Sequence, residues 1–168
     1  MTCWKMRTQL TLSSMTGACE YARAVPDDAA RLTEIALAAK RHWGYPECWM
    51  VRWTAGMTIT PDFITRNEVY LAALDGEVVA FYGLIPSKPK AILEHLWVLP
   101  AFMGRGLGQG LFAHALSRCR KLGIPMLEIE SDPNALGFYA RMGARKVSER
   151  IYELDGQTRV LPILEFAL

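Results

Sequence analysis

Apolar and polar positions recur along this chain with two different periods, and the changes of period mark its elements. Residues 21–25 read as a first strand. Pro26-Asp27-Asp28 then signals a helix start with an aspartate as cap, and Leu32, Ile35, Ala36 and Ala39 repeat at helical spacing. Lys40 and Arg41, cations suited to a helix C-terminus, close it before Gly44. The next segment, broken by Gly44 and Pro46, carries Trp43, Tyr45, Trp49 and Trp53. It reads either as a short helix whose aromatics fill core or as an aromatic wall beside a binding pocket. Thr60-Pro61-Asp62 opens a further short helix to about Asn67.

Residues 69–74 and 77–84 are β-rich runs around Asp75-Gly76, the pattern of a tight hairpin. Pro86 and Pro89 mark a loop, and residues 91–99 form the next strand, stopped by Pro100. A helix over residues 108–122 presents Leu107, Leu111, Ala115, Cys119 and Leu122 on one face and ends at Gly123. Residues 126–130 form another strand. Asp132 caps a helix with Pro133 at its first position, ending at Met142-Gly143. Two last strands, about 144–154 and 159–166, are joined by Asp155-Gly156. The order implies an α/β fold with a mixed sheet.

The most distinctive stretch is 93–111. It reads as a buried strand, a proline stop, a turn with glycines at 104, 106, 108 and 110, and a helix start. Unpaired N–H groups at such a helix N-terminus favour an anion, and the missing Cβ atoms let backbone approach a phosphate. A pyrophosphate-bearing ligand is the first expectation. The dinucleotide fingerprint G-x-G-x-x-G fails in every register, because its last glycine would fall on Gln109, Leu111 or Ala113. A P-loop fails for want of Gly-Lys-Ser/Thr.

Composition narrows this further. The 168 residues suit one domain, assigned to 19–168, with 1–18 expected to be a flexible extension. A net charge of +2 gives no argument for nucleic acid or an anionic membrane, and no apolar run approaches the roughly 20 residues of a membrane span. The four cysteines (Cys3, Cys19, Cys48, Cys119) show no metal or redox spacing. Free thiols in a cytoplasmic protein without a metal are expected.

What remains is Met103-Gly104-Arg105-Gly106-Leu107-Gly108 between a strand and a helix, followed by a second block, Asn134 to Ala144, containing Phe138-Tyr139. Together these resemble the GNAT superfamily of N-acetyltransferases: the pattern Gln/Arg-x-x-Gly-x-Gly/Ala, then the helix Asn-x-x-Ala-x-x-Phe-Tyr-x-x-x-Gly-Phe. Two departures stand out. Met103 sits where the pattern has Arg or Gln, and Ala135 follows Asn134 directly, out of the usual register.

The resemblance implies a single-domain GNAT-like α/β fold, with a mixed, mostly antiparallel central sheet of about six to seven strands flanked by helices, and acetyl-CoA as co-substrate. Its pyrophosphate would be held by Met103, Gly104, Arg105, Gly106, Leu107, Gly108 and Gln109. Its pantetheine would pair with backbone around Leu96, Trp97 and Val98, and Asn134 would contact the pantetheine or the sulfur region. Tyr139 matches the residue that protonates the departing thiolate. Glu94 is the expected base. Strict alternation would place it with Ile92, Leu96 and Val98, among neighbours that exclude water and favour its protonated form. His95 is the rival, set on the opposite face with Leu93 and Trp97 and read as packing. The acceptor is expected to be a small-molecule or peptide amine; Tyr45, Trp49, Trp53 and Tyr82 would bound its pocket, with Glu47, Glu94 or Glu130 attracting its charge. A homodimer stays open, and so does a non-catalytic acyl-CoA-binding or sensing domain.

Overall fold

A computed structural model describes residues 10–12 and 19–168. Its strands are β1 (Leu10–Leu12), β2 (Cys19–Arg23), β3 (Glu68–Leu74), β4 (Glu77–Ile85), β5 (Lys90–Val98), β6 (Met126–Glu130), β7 (Arg145–Leu154) and β8 (Gln157–Ala167). Its helices are α1 (Ala29–Arg41), α2 (Glu47–Met57), α3 (Pro61–Arg66), α4 (Leu107–Lys121) and α5 (Leu136–Arg141). The strands form one mixed sheet in the order β1-β2-β3-β4-β5-β6-β8-β7, in which only the β5–β6 neighbours are parallel. Of the expected N-terminal extension, Leu10–Leu12 pairs with β2 and the rest lies outside the described residues. Among the described residues no helix is long and apolar enough to cross a membrane.

Local chemistry explains most boundaries. Asp75-Gly76 and Asp155-Gly156 have positive φ at both positions (48° and 82°, 50° and 73°), which is what a two-residue turn matched to strand twist requires. The Thr60 hydroxyl accepts the Phe63 N–H at 3.0 Å and so caps α3. Asp132 accepts the Asn134 N–H at 2.9 Å and starts the short 3-10 turn that leads into α5.

Each sheet face buries one apolar layer. Leu111, Phe112, Ala115 and Cys119 of α4 pack on Ala80, Tyr82, Ala91 and Leu127. Leu32, Ile35 and Ala36 of α1 pack on Val69, Leu71 and Phe81, with Ile64 of α3. Tyr82 is therefore core rather than pocket wall: it is fully buried, and its hydroxyl meets His114 Nδ1 at 2.9 Å. The helix α4 comes so close to β2 that a Cβ on Gly110 would lie 2.1 Å from Tyr21 Oη. Tyr21 is buried and stacked on His114, so its ring has little room to yield. Gly110→Ala should therefore lower stability by about 1–3 kcal/mol despite alanine's better helix propensity. A chemical denaturation midpoint equal to or above wild type would refute this.

Two irregularities shape the middle of the sheet. Parallel pairing of β5 with β6 covers Lys90–Ile92 against Met126–Glu128 and then stops, which leaves the β6-facing edge of β5 without a strand partner beyond Ile92. On its other edge β5 jumps register against β4: Leu84 faces Leu93, but Gly83 faces His95. Glu94 is the extra residue of this bulge, and a bulge inverts the alternation that follows it.

Candidate active site

The helix α4 begins at a turn in which Gly104 (φ 77°) and Gly106 (φ 81°) hold left-handed backbone that a residue with a Cβ resists. The first helical hydrogen bond of α4 runs from Gly110 N–H to Gly106 O, at 2.9 Å. The six backbone N–H groups from Gly104 to Gln109 have no acceptor among the described residues. A Cβ at position 104 or 106 would meet no protein atom within 4 Å, so the space beside the turn is open. These orphan donors at the positive end of a 15-residue helix make an anion cradle.

The cradle opens onto a groove of about 640 Å³ that follows the parting of β5 and β6. Leu93, Glu94, Leu96, Trp97 and Val98 line it on one side; Glu130, Ser131, Asp132 and Asn134 line it on the other. Phe138 and Tyr139 of α5 reach it as well. Tyr139 is 7% exposed, packs against Phe112 and Phe138, and its hydroxyl has no hydrogen-bond partner among the described residues. Burial pushes its pKa well above the ordinary tyrosine value of 10. A buried phenol that keeps its proton and lacks a protein acceptor has a hydrogen bond left to donate.

The bulge settles how β5 presents Glu94 and His95. Leu93 shares a layer with Leu96 and Val98, while His95 shares the other with Trp97, which corrects the strict alternation expected from sequence. Glu94 is exposed, lines the groove, and has no hydrogen bond or ion pair among the described residues. The water-excluding neighbours expected around it are not there. His95 is buried: it accepts the Trp97 Nε1–H at 3.2 Å on Nδ1 and packs edge-on against Phe63. Burial pulls its pKa from 6.5 down to about 4. The unfolded chain therefore takes a proton near pH 6.5 that the folded chain refuses until about pH 4. This site's stability is complete above pH 6.5 and should decline by roughly 3 kcal/mol as pH falls toward 4. His95→Gln, which keeps an acceptor for Trp97 but does not titrate, should flatten that decline in denaturation midpoints at pH 7 and pH 5. Equal slopes for the two proteins would contradict it.

Beyond the groove end, Tyr45, Trp49 and Trp53 form a cluster with ring centroids 5.1–6.1 Å apart. They are neither plain core nor a bare wall, because two cations sit against their rings. Arg159 Cζ lies 4.7, 5.1 and 4.9 Å from the centroids of Tyr45, Trp49 and Trp53. Lys40 Nζ lies 4.8 Å from Tyr45 and 4.6 Å from Trp53. Asp132 joins the cluster to the groove. It pairs with Lys40 and accepts the Tyr45 hydroxyl at 2.9 Å. Burial opposes the Asp132 charge, but Lys40, the Asn134 N–H and the Tyr45 hydroxyl together outweigh it and hold the carboxyl below its ordinary value of 3.8.

A family model described as the acetyltransferase (GNAT) family matches residues 30–144, well over half of the 168-residue chain. The chain belongs to the GNAT acetyltransferase family. Solved structures share the GNAT fold at low identity. A GCN5-related N-acetyltransferase from Rhodopseudomonas palustris is 20% identical with a TM-score of 0.76, covering 94% of this chain and 99% of its own. The PaiA N-acetyltransferase from Thermoplasma acidophilum, in complex with coenzyme A, is 20% identical with a TM-score of 0.71, covering 89% and 99%. The ribosomal-protein-S18-alanine N-acetyltransferase from Escherichia coli is 19% identical with a TM-score of 0.68, covering 89% and 93%. No curated protein matches significantly.

Most residues singled out from sequence meet at one GNAT-fold groove: Glu94, Leu96, Trp97, Val98, Met103, Gly104, Gly106, Leu107, Gly108, Gln109, Asn134 and Tyr139. Arg105 is apart from its lining, with its guanidinium over the Phe102 ring at 5.1 Å. The Asn134 amide is engaged locally, donating to Tyr45 Oη and to Asp132 Oδ1 at 2.9 Å each. Glu47 pairs with Arg41 at the surface, and Glu130 pairs with Arg150 at 2.9 Å. Sequence reasoning missed Lys40 and Arg159 as parts of one cluster; they lie far apart in the chain, and no local pattern joins them.

Proposed function

We propose that this chain is an acetyl-CoA-dependent N-acetyltransferase acting on a primary amine of a small molecule or peptide by direct attack. One observation carries the reading: six orphan N–H groups lie at one end of a groove that also receives a buried, unpartnered phenol. Acetyl-CoA supplies an activated thioester. The chain's residues bind it, orient it and handle protons. Backbone donors of 104–109 hold its pyrophosphate, with no side chain needed at Met103. The unpaired edge of β5 at Leu96–Val98 takes the pantetheine amides as an added strand would be taken.

Glu94, exposed and unpaired, removes a proton from the incoming ammonium. Tyr139 donates a hydrogen bond as negative charge gathers on sulfur. Full transfer from so weak an acid to a thiolate, whose thiol has a pKa of about 8.5, is uphill, so the hydrogen bond itself is the contribution. A cysteine acyl-enzyme fits poorly. Cys119 is buried in the α4 layer with its thiol pushed up to about 11, and exposed Cys48 has no neighbouring base.

The test is thiol release from acetyl-CoA across a broad amine panel. Release dependent on one class of amine supports transfer. Tight acetyl-CoA binding without release to any amine would instead indicate a binding or sensing domain.

A further inference from the structure

Arg159 presents an unusual balance of charge. It is 7% exposed, and no carboxylate pairs with it among the described residues. Among the described residues its guanidinium makes one hydrogen bond, a long one, Nη2 to Tyr45 Oη at 3.4 Å. Lys40, its side chain 12% exposed, adds a second cation, and Asp132 serves Lys40 and Tyr45 but not Arg159. The cluster thus holds two positive charges against one negative. Ring faces attract the Arg159 charge, by about 0.5–2 kcal/mol each, but they accept its in-plane N–H groups poorly. Leaving a guanidinium buried with most donors unmet is costly, and a planar anion is the partner that meets two of those donors at once.

The location ties this to the groove. Asp132 lines the groove, its Oδ1 is 2.9 Å from Tyr45 Oη, and Tyr45 Oη is 3.4 Å from Arg159. Arg159 does not itself line the groove; it stands behind Tyr45, two hydrogen bonds from the groove-lining Asp132. We infer that the acceptor is an amine that also carries a carboxylate, and that Arg159 binds this carboxylate beside Asp132 while the amine lies toward Glu94. The inference rests on the acetyl-transfer reading and narrows its acceptor class to amino acids and related amino-carboxylates.

The deciding experiment measures thiol release from acetyl-CoA by the full chain with α- and ω-amino acids, each matched to its carboxamide. Acids should be preferred in kcat/KM on the order of tenfold to a hundredfold. The preference runs against intrinsic reactivity, because an α-amino carboxamide has more free amine at neutral pH. Arg159→Met, which keeps the bulk and removes the donors, should level the two, with acetyl-CoA affinity by calorimetry unchanged. Carboxamides acetylated as fast as acids by wild type would overturn the inference while leaving acetyl transfer intact. No release to any amine, with acetyl-CoA bound, would overturn both. The wild-type comparison decides even if the variant fails to fold.

Discussion

Tyr139→Phe should lower turnover by about 10²–10³-fold, the cost of losing one hydrogen-bond donor to developing charge, and leave acetyl-CoA affinity nearly unchanged. The substitution removes one oxygen and keeps the ring that packs on Phe112 and Phe138. Because the hydroxyl has no protein partner, its loss leaves no orphan group behind, so stability should hold or rise slightly. An effect on kcat with intact folding and binding is the signature of a contact made as charge develops on the leaving sulfur. Burial raises the Tyr139 pKa, so this donor should keep its proton beyond pH 10, and any alkaline fall in wild-type activity below that pH must belong to another group. Wild-type turnover in Tyr139→Phe would remove the residue from the mechanism.

The second large effect is expected at the glycine turn. Gly106 has φ 81°, a conformation that valine, branched at Cβ, adopts only with strain. Gly106→Val should turn the backbone out of the left-handed region and swing the N–H groups of 106–108 away from a common point. Losing two charge-assisted hydrogen bonds at about 1.5–3 kcal/mol each amounts to at least a hundredfold in acetyl-CoA affinity. The fold should tolerate the side chain itself, since no protein atom lies within 4 Å of the added Cβ. Calorimetry should therefore show lost binding in a protein that still melts cooperatively. Unchanged affinity would sink the assignment of the cradle. The contrast with Gly110 is instructive: there the added Cβ meets Tyr21 and the cost falls on folding.

Much of this site was legible in local sequence. The glycine turn, both Asp-Gly hairpins, the Thr60 and Asp132 caps and the apolar stripe of α4 are each written in fewer than about 16 consecutive residues, within reach of backbone geometry and helical or strand period. For that reason β6 falls where expected, at Met126–Glu130, and Phe138-Tyr139 arrives at the groove with α5. The Asn134 expectation was less secure. Its position was legible, but its amide is turned to Tyr45 and Asp132 by partners the local sequence does not name.

The amino-acid sequence by itself thus determined the fold class, the glycine turn ahead of α4 and the family. All three depend on short-range patterns that any compatible tertiary context preserves. The tertiary structure alone decided the rest. The bulge at Glu94 depends on the register of β4 against β5, and one inserted residue reverses every face after it. Tyr82 became core because α4 covers it. Lys40, Tyr45, Asp132 and Arg159 became one charged cluster because α1, the loop before α2, the loop after β6 and β8 converge beside the groove. Contacts across so many residues are set by how the layers pack, and no period along the chain encodes them.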